Sequence, residues 1–226
     1  DDPMADCIIN VVGTLNVLEA CRAHKVNRFV FASSGAPLGE QTPPLHEEMA
    51  PHPASPYGAS KLAGEGYCSA YYHSFGLDTV VLRFGNVYGE NSGKKSSVIA
   101  KFIKQAMAGE TLEIYGDGGQ TRDFIHISDL IGAIYAAATA EGVAGETFQI
   151  ATSAESTVSE VTNKLISVLV AEGTAEPKVV LGPSRTGDVA RNYSDTRKAR
   201  DLLGWEAHVV LEDGLRRTVR HFLAKN

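Results

Sequence analysis

The chain has 226 residues, enough to bury a full core in one or two domains, and its 43% apolar and 21% charged residues are ordinary for a globular protein. A net charge of −6 without any Lys/Arg-rich run argues against nucleic acid or an anionic membrane surface as partner, so an anionic ligand must meet a locally basic pocket. The apolar runs are short and interrupted and no basic-then-apolar leader opens the chain; no membrane span or secretory signal is expected, and the expected location is cytoplasmic.

Residues 4–24 read as a helix with apolar positions at Ile8, Val11, Val12, Leu15 and Leu18, widened by Ile9 and Val17. Arg28 to Ala32 form an apolar strand that runs into Ser33-Ser34-Gly35, a hydroxyl-bearing turn of the kind on which parallel strands place their chemistry. Gln41 to Pro56 carry five prolines and no apolar period, which predicts a loop. Ser55-Pro56 then supplies a cap and a first-turn proline for a helix reaching about Ser74.

That helix holds Tyr57 and Lys61, four apart and therefore on one face. A fixed ammonium beside a phenol favours the phenolate and suits it to general-base work near neutral pH. By itself the pair is a weak signal, because Tyr and Lys at this spacing are common on solvated helix faces.

Thr79 to Arg83 form an almost continuous apolar strand of the buried parallel type. Beyond it the pattern predicts a loop at 85–96, helix 97–108, strand 112–115 and a glycine turn at 116–119. Strand 122–126, helix 127–140, strand 146–151, helix 157–171, strand 177–181 and helices near 195–203 and 211–223 follow. This alternation predicts an α/β fold with a mainly parallel sheet. Cys7, Cys21 and Cys68 are odd in number and lack Cys-x-x-Cys spacing, which fits reduced thiols packed in helices; the seven histidines form no ligand motif, and no metal site is expected.

With these residues in view, the chain resembles the extended short-chain dehydrogenase/reductases, in particular the NAD-dependent epimerase/dehydratase family of nucleotide-sugar enzymes. Asn10-Val11-Val12-Gly13-Thr14-Leu15-Asn16 is similar to the family's Asn-Val-x-Gly-Thr-x-Asn helix, which implies that Asn10 lies near the nicotinamide ribose. Ser33-Ser34-Gly35-Ala36-Pro37-Leu38-Gly39 is similar to Ser-Ser-x-x-Val-Tyr-Gly, with Pro37-Leu38 departing from it. The resemblance implies Ser34, Tyr57 and Lys61 as catalytic residues, and Asn10, Ser33, Tyr57, Lys61 and Phe84 as contacts to NAD.

Arg83-Phe84-Gly85-Asn86-Val87-Tyr88-Gly89, the Arg122-Asp123-Phe124-Ile125-His126 block and Arg185-Thr186-Gly187-Asp188 resemble three further family elements. These imply that the nucleotide sugar, expected to be a UDP-sugar, meets Ser34, Asn86, Tyr115, Arg122, Arg185 and Asp188, with the two arginines on the diphosphate. Asn192 falls where the family sizes its sugar pocket.

The implied activity is that of a UDP-hexose 4-epimerase type: transient oxidation to a 4-keto sugar, with Tyr57 as base and Ser34 on the reacting oxygen. Gly35-Ala36 stand where the dehydratases carry Asp-Glu, which favours epimerisation; ketosugar reduction or dehydration are alternatives, as is a non-catalytic chain that keeps only a nucleotide-sugar site. The resemblance implies a Rossmann-like, N-terminally incomplete NAD-binding domain from 1–88 and 123–150, and a smaller nucleotide-sugar domain from 89–122 and 151–226. The sequence lacks Gly-x-Gly-x-x-Gly and Gly-x-x-Gly-x-x-Gly, the turns that approach a dinucleotide pyrophosphate; some 80 family residues are expected to precede residue 1, and weak NAD binding follows as an expectation. The helices at 4–24 and 57–74 fit a homodimer interface known in the family.

Overall fold

The structure, a computed structural model, describes residues 2–184 and 189–225. Its centre is a three-stranded parallel sheet in the order β1-β2-β7, made of β1 (Arg28–Ser34), β2 (Asp78–Phe84) and β7 (Thr147–Ile150). β2 is central, which is why its sequence is apolar almost without interruption. In register, Ser33 lies beside Arg83 and Ser34 beside Phe84, so both hydroxyls stand at the carboxyl ends of parallel strands.

Helix α1 spans Pro3–Ala23 as one continuous run, with a π-type turn at Ile8–Val12. It begins on Asp2, whose carboxylate accepts from the amides of Met4 and Ala5. Only Leu18 of the expected stripe is fully buried, while Ile8, Ile9, Val12 and Val17 are exposed. By length and composition alone α1 is long and apolar enough to cross a membrane, which the short, interrupted apolar runs of the sequence do not suggest.

Helix α2 (Pro56–Phe75) links β1 to β2. Ser55 caps its start by accepting from the Gly58 amide at 3.1 Å, and Gly76, with φ +67°, ends it while its amide and that of Leu77 bond to Tyr72 and Tyr71. Leu18, Phe31, Cys68, Tyr71, Leu77 and Val81 form the core between α1, α2 and the sheet.

The opposite sheet face carries Val80, Leu82, Phe148 and Ile150 against α4 (Ile127–Thr139). Arg28 fixes that packing: it pairs with Asp78 at 2.7 Å and donates to the carbonyls of Ala137 and Ala140 at the end of α4. Leu203 and Trp205, late in sequence, join this core, and the Trp205 indole donates to the Asp129 carbonyl at 3.0 Å. A third core lies among α3 (Val98–Met107), α5 (Val158–Ala171) and α6 (Leu211–Ala224).

The other strands form pairs: β3 (Asn86–Tyr88) with β6 (Phe124–His126) and β4 (Leu112–Tyr115) with β9 (Val179–Gly182), both parallel, and β5 (Thr121–Arg122) with β8 (Ser156–Thr157), antiparallel. The loop expected at 85–96 thus begins with strand β3, and the single strand expected over 122–126 is broken at Asp123. Asp123 is fully buried and accepts from the Thr152 amide and hydroxyl at 2.7 and 2.6 Å, tying the break to the end of β7. The glycines at 116–119 form the expected turn, with Gly116 and Gly118 at positive φ.

Candidate active site

Three adjoining clefts run along the carboxyl ends of these strands. The first, about 280 Å³, is lined by Ser34, Gly35, Ala36, Phe84 and Asn192 among others. It shares Gly85, Asn86 and Arg122 with a second cleft of about 380 Å³, which continues to Lys101 and Tyr115. Tyr115 and Gln120 also line a third, of about 400 Å³, bounded by Asp117 and Arg191.

Ser34 stands at the inner end, its hydroxyl accepting from the Ala36 amide at 3.2 Å. Pro37 and Leu38, which replace the Val-Tyr of the family pattern, are buried in a short turn, so this turn presents no aromatic hydroxyl to the cleft. The start of α2 presses against the same turn. A Cβ on Gly58 would lie 2.6 Å from the Ala36 carbonyl oxygen, so the residue after Tyr57 must be glycine for the helix to come this close.

Tyr57 is 44% exposed at this helix start. The Lys61 ammonium lies 5.7 Å from the centre of its ring and 5.2 Å from that of Phe31, and donates to the Ala32 carbonyl at 3.0 Å. Partial burial lowers the Lys61 pKa below its ordinary value, opposed by the negative charge of Asp6 on α1. Asp6 in turn accepts from the Asn10 side chain at 2.8 Å, which ties Asn10 to the carboxylate whose charge acts on Lys61.

One further turn along α2, Glu65 lies on the face of Tyr57 and Lys61 but is buried. It holds Arg83 through two hydrogen bonds of 2.9 and 2.7 Å and accepts from the Ser33 hydroxyl at 2.5 Å. The hydroxyl of Ser33, expected among the cofactor contacts, is committed to Glu65 inside the protein, because the strand alternation turns it away from Ser34. Sequence reading passes over Glu65, since a carboxylate on a helix normally signals a solvated face.

Phe84 and exposed Asn86 flank Gly85, where the chain leaves the central sheet; the amide of Gly85 bonds to Ile150 and that of Asn86 to Asp123. Arg122 reaches both inner clefts and is oriented by the carbonyls of Thr121 and Val189, at 2.6 and 2.7 Å. Arg191 pairs with Glu155, which also accepts from the Thr121 hydroxyl; this places the segment carrying Asn192 over the first cleft. Arg185 and Asp188 lie outside the described residues. Among the described residues no group of three or more His, Cys, Asp or Glu side chains converges as a metal site does.

Parallel strand ends bearing a serine, closed by a helix that opens with Tyr and Lys four apart, define a Rossmann-type α/β protein of the short-chain dehydrogenase/reductase class. The model of the NAD dependent epimerase/dehydratase family matches residues 1–151, and the chain belongs to that family. It is 36% identical over 230 residues to UDP-glucose 4-epimerase of Mycolicibacterium smegmatis, covering all of this chain and 72% of that protein. A crystal structure of UDP-glucose 4-epimerase with UDP-glucose from Thermotoga maritima superposes with a TM-score of 0.92 at 34% identity, over 99% of this chain and 72% of that one. UDP-glucuronic acid 4-epimerase from Bacillus cereus, in complex with UDP-glucuronic acid and NAD, superposes with a TM-score of 0.88 at 30% identity, over 97% and 69%.

Proposed function

We propose that the chain carries the catalytic and nucleotide-sugar-binding parts of an NAD-dependent UDP-hexose 4-epimerase. The observation that carries this reading is the packing of the Tyr57-Lys61 helix start on the Ser34 turn, which with Asn86 and Arg122 lines the first cleft. Relatives that act on UDP-sugars support the substrate class. The division into an NAD-binding part (1–88, 123–150) and a nucleotide-sugar part (89–122, 151–226) belongs to the same proposal, as do a homodimer through α1 and α2 and a cytoplasmic location.

The residues present fit the nicotinamide-ribose end of NAD: a half-buried ammonium and a partly exposed phenol stand together beside β1, and Asn10 is bonded to Asp6, whose charge acts on that ammonium. NAD, when bound, supplies the acceptor and donor of the hydride. Tyr57 takes the proton from the sugar 4-hydroxyl and later returns it. Lys61 favours the phenolate and offers donors to ribose hydroxyls, while Ser34 donates a hydrogen bond to the reacting oxygen. Arg122, with its fork oriented by two carbonyls, fits the diphosphate, and Asn86 the adjoining sugar.

Incubation with UDP-galactose and NAD tests this reading. Formation of UDP-glucose supports it, and UDP binding without conversion, or neither binding nor conversion, contradicts it.

A further inference from the structure

We infer that Lys101 is a further cation of the diphosphate subsite, lining the same cleft as Arg122. The inference rests on the reading of that cleft as a nucleotide-sugar site. Lys101 lies one turn into α3 and lines the same cavity as Arg122, Asn86 and Tyr115. Its ammonium lies 5.1 Å from the centre of the Tyr115 ring, and among the described residues it forms no ion pair or hydrogen bond. The next lysine on this helix behaves differently: Lys104 donates to the carbonyls of Gly93 and Lys95 and so serves the fold.

A partly buried ammonium with only an aromatic face for company keeps its donors and most of its charge for a ligand. In a chain of net charge −6, a diphosphate needs such local cations. Two such cations in one cleft hold an extended dianion better than one, and the aromatic ring beside Lys101 limits the positions its flexible stem can take. The two cations differ in kind. Arg122 offers a planar fork fixed by two carbonyls, whereas Lys101 offers a point charge. Charge, rather than geometry, is therefore what Lys101 contributes, and arginine is an adequate replacement.

Calorimetric titration of the wild type, Lys101→Gln and Lys101→Arg with UDP and with uridine tests this. The expected result is a UDP affinity weakened about tenfold in Lys101→Gln, uridine binding unchanged, and Lys101→Arg within about threefold of the wild type. The wild type is also expected to lose UDP affinity with added salt more steeply than Lys101→Gln. Equal UDP affinity in the wild type and Lys101→Gln, or parallel losses for UDP and uridine, overturns the inference while leaving the nucleotide-sugar reading in place. A wild type that binds neither ligand overturns that reading and takes the inference with it.

Discussion

Arg83 and Glu65 form a two-hydrogen-bond ion pair, at 2.9 and 2.7 Å, directly beneath the strand ends that carry Ser34 and Phe84. Both side chains are more than nine-tenths buried, and Ser33 adds a third bond to the same carboxylate. The helix that opens with Tyr57 is thereby locked in rotation and height against β1 and β2. A buried pair of this kind contributes less to net stability than its bond count implies, because both ions lose water, but removing one partner strands the other. Glu65→Ala is expected to lower unfolding free energy by about 3 kcal/mol in urea titrations, and the double variant Glu65→Leu with Arg83→Met to recover much of it. A single variant as stable as the wild type would show that the pair does not hold the helix.

Lys61 titrates below its ordinary value because it is half-buried, and Asp6 opposes that shift. Removing the carboxylate removes the opposition. Asp6→Asn should therefore move the Lys61 titration further down, read from the carbon chemical shift of reductively methylated Lys61; an upward movement would contradict the arrangement of α1 against α2.

Glu155 is held down to about 2 by Arg191 first and the Thr121 hydroxyl second. Its pKa in the folded state is below that of the unfolded chain, so its contribution to stability is present above about 4.5 and is lost as pH falls from there toward 2. Glu155→Gln is expected to flatten the dependence of thermal midpoint on pH in this window and to leave it unchanged near neutrality in shape. An unaltered acid limb would show that the pair with Arg191 does not form in solution.

The three thiols should separate in labelling kinetics. Cys7 is exposed, contrary to the expectation that all three cysteines are packed. Cys68 is buried and its thiol is pushed up to about 12, mainly by burial. A chromogenic disulfide reagent at pH 8 is expected to react first at Cys7 and at Cys68 only on unfolding; rapid reaction of Cys68 in the native protein would contradict the packing of α2 on the sheet.

The longer elements were legible in the sequence because their ends carry local signals. Ser55-Pro56 and Gly76 bound α2 by capping chemistry alone, and the apolar run of β2 announced a central parallel strand. What escaped was set by distant partners. β3 is three residues whose pairing with β6 is decided by contacts some forty residues away, and Asp123 breaks the 122–126 segment for the sake of Thr152. The candidate site shows the same division: Tyr57 and Lys61 declared themselves by spacing, whereas Glu65 on the same face, and the inward turn of Ser33, follow from a buried pairing with Arg83 that no local pattern encodes.

The central claim is that Tyr57 is the base that moves the sugar proton, and the direct measurement is the rate of UDP-galactose conversion to UDP-glucose by the wild type and Tyr57→Phe in the presence of NAD. Loss of a positioned general base predicts a fall in kcat of roughly 10²- to 10⁴-fold with UDP affinity retained. Conversion by Tyr57→Phe at the wild-type rate would contradict the account.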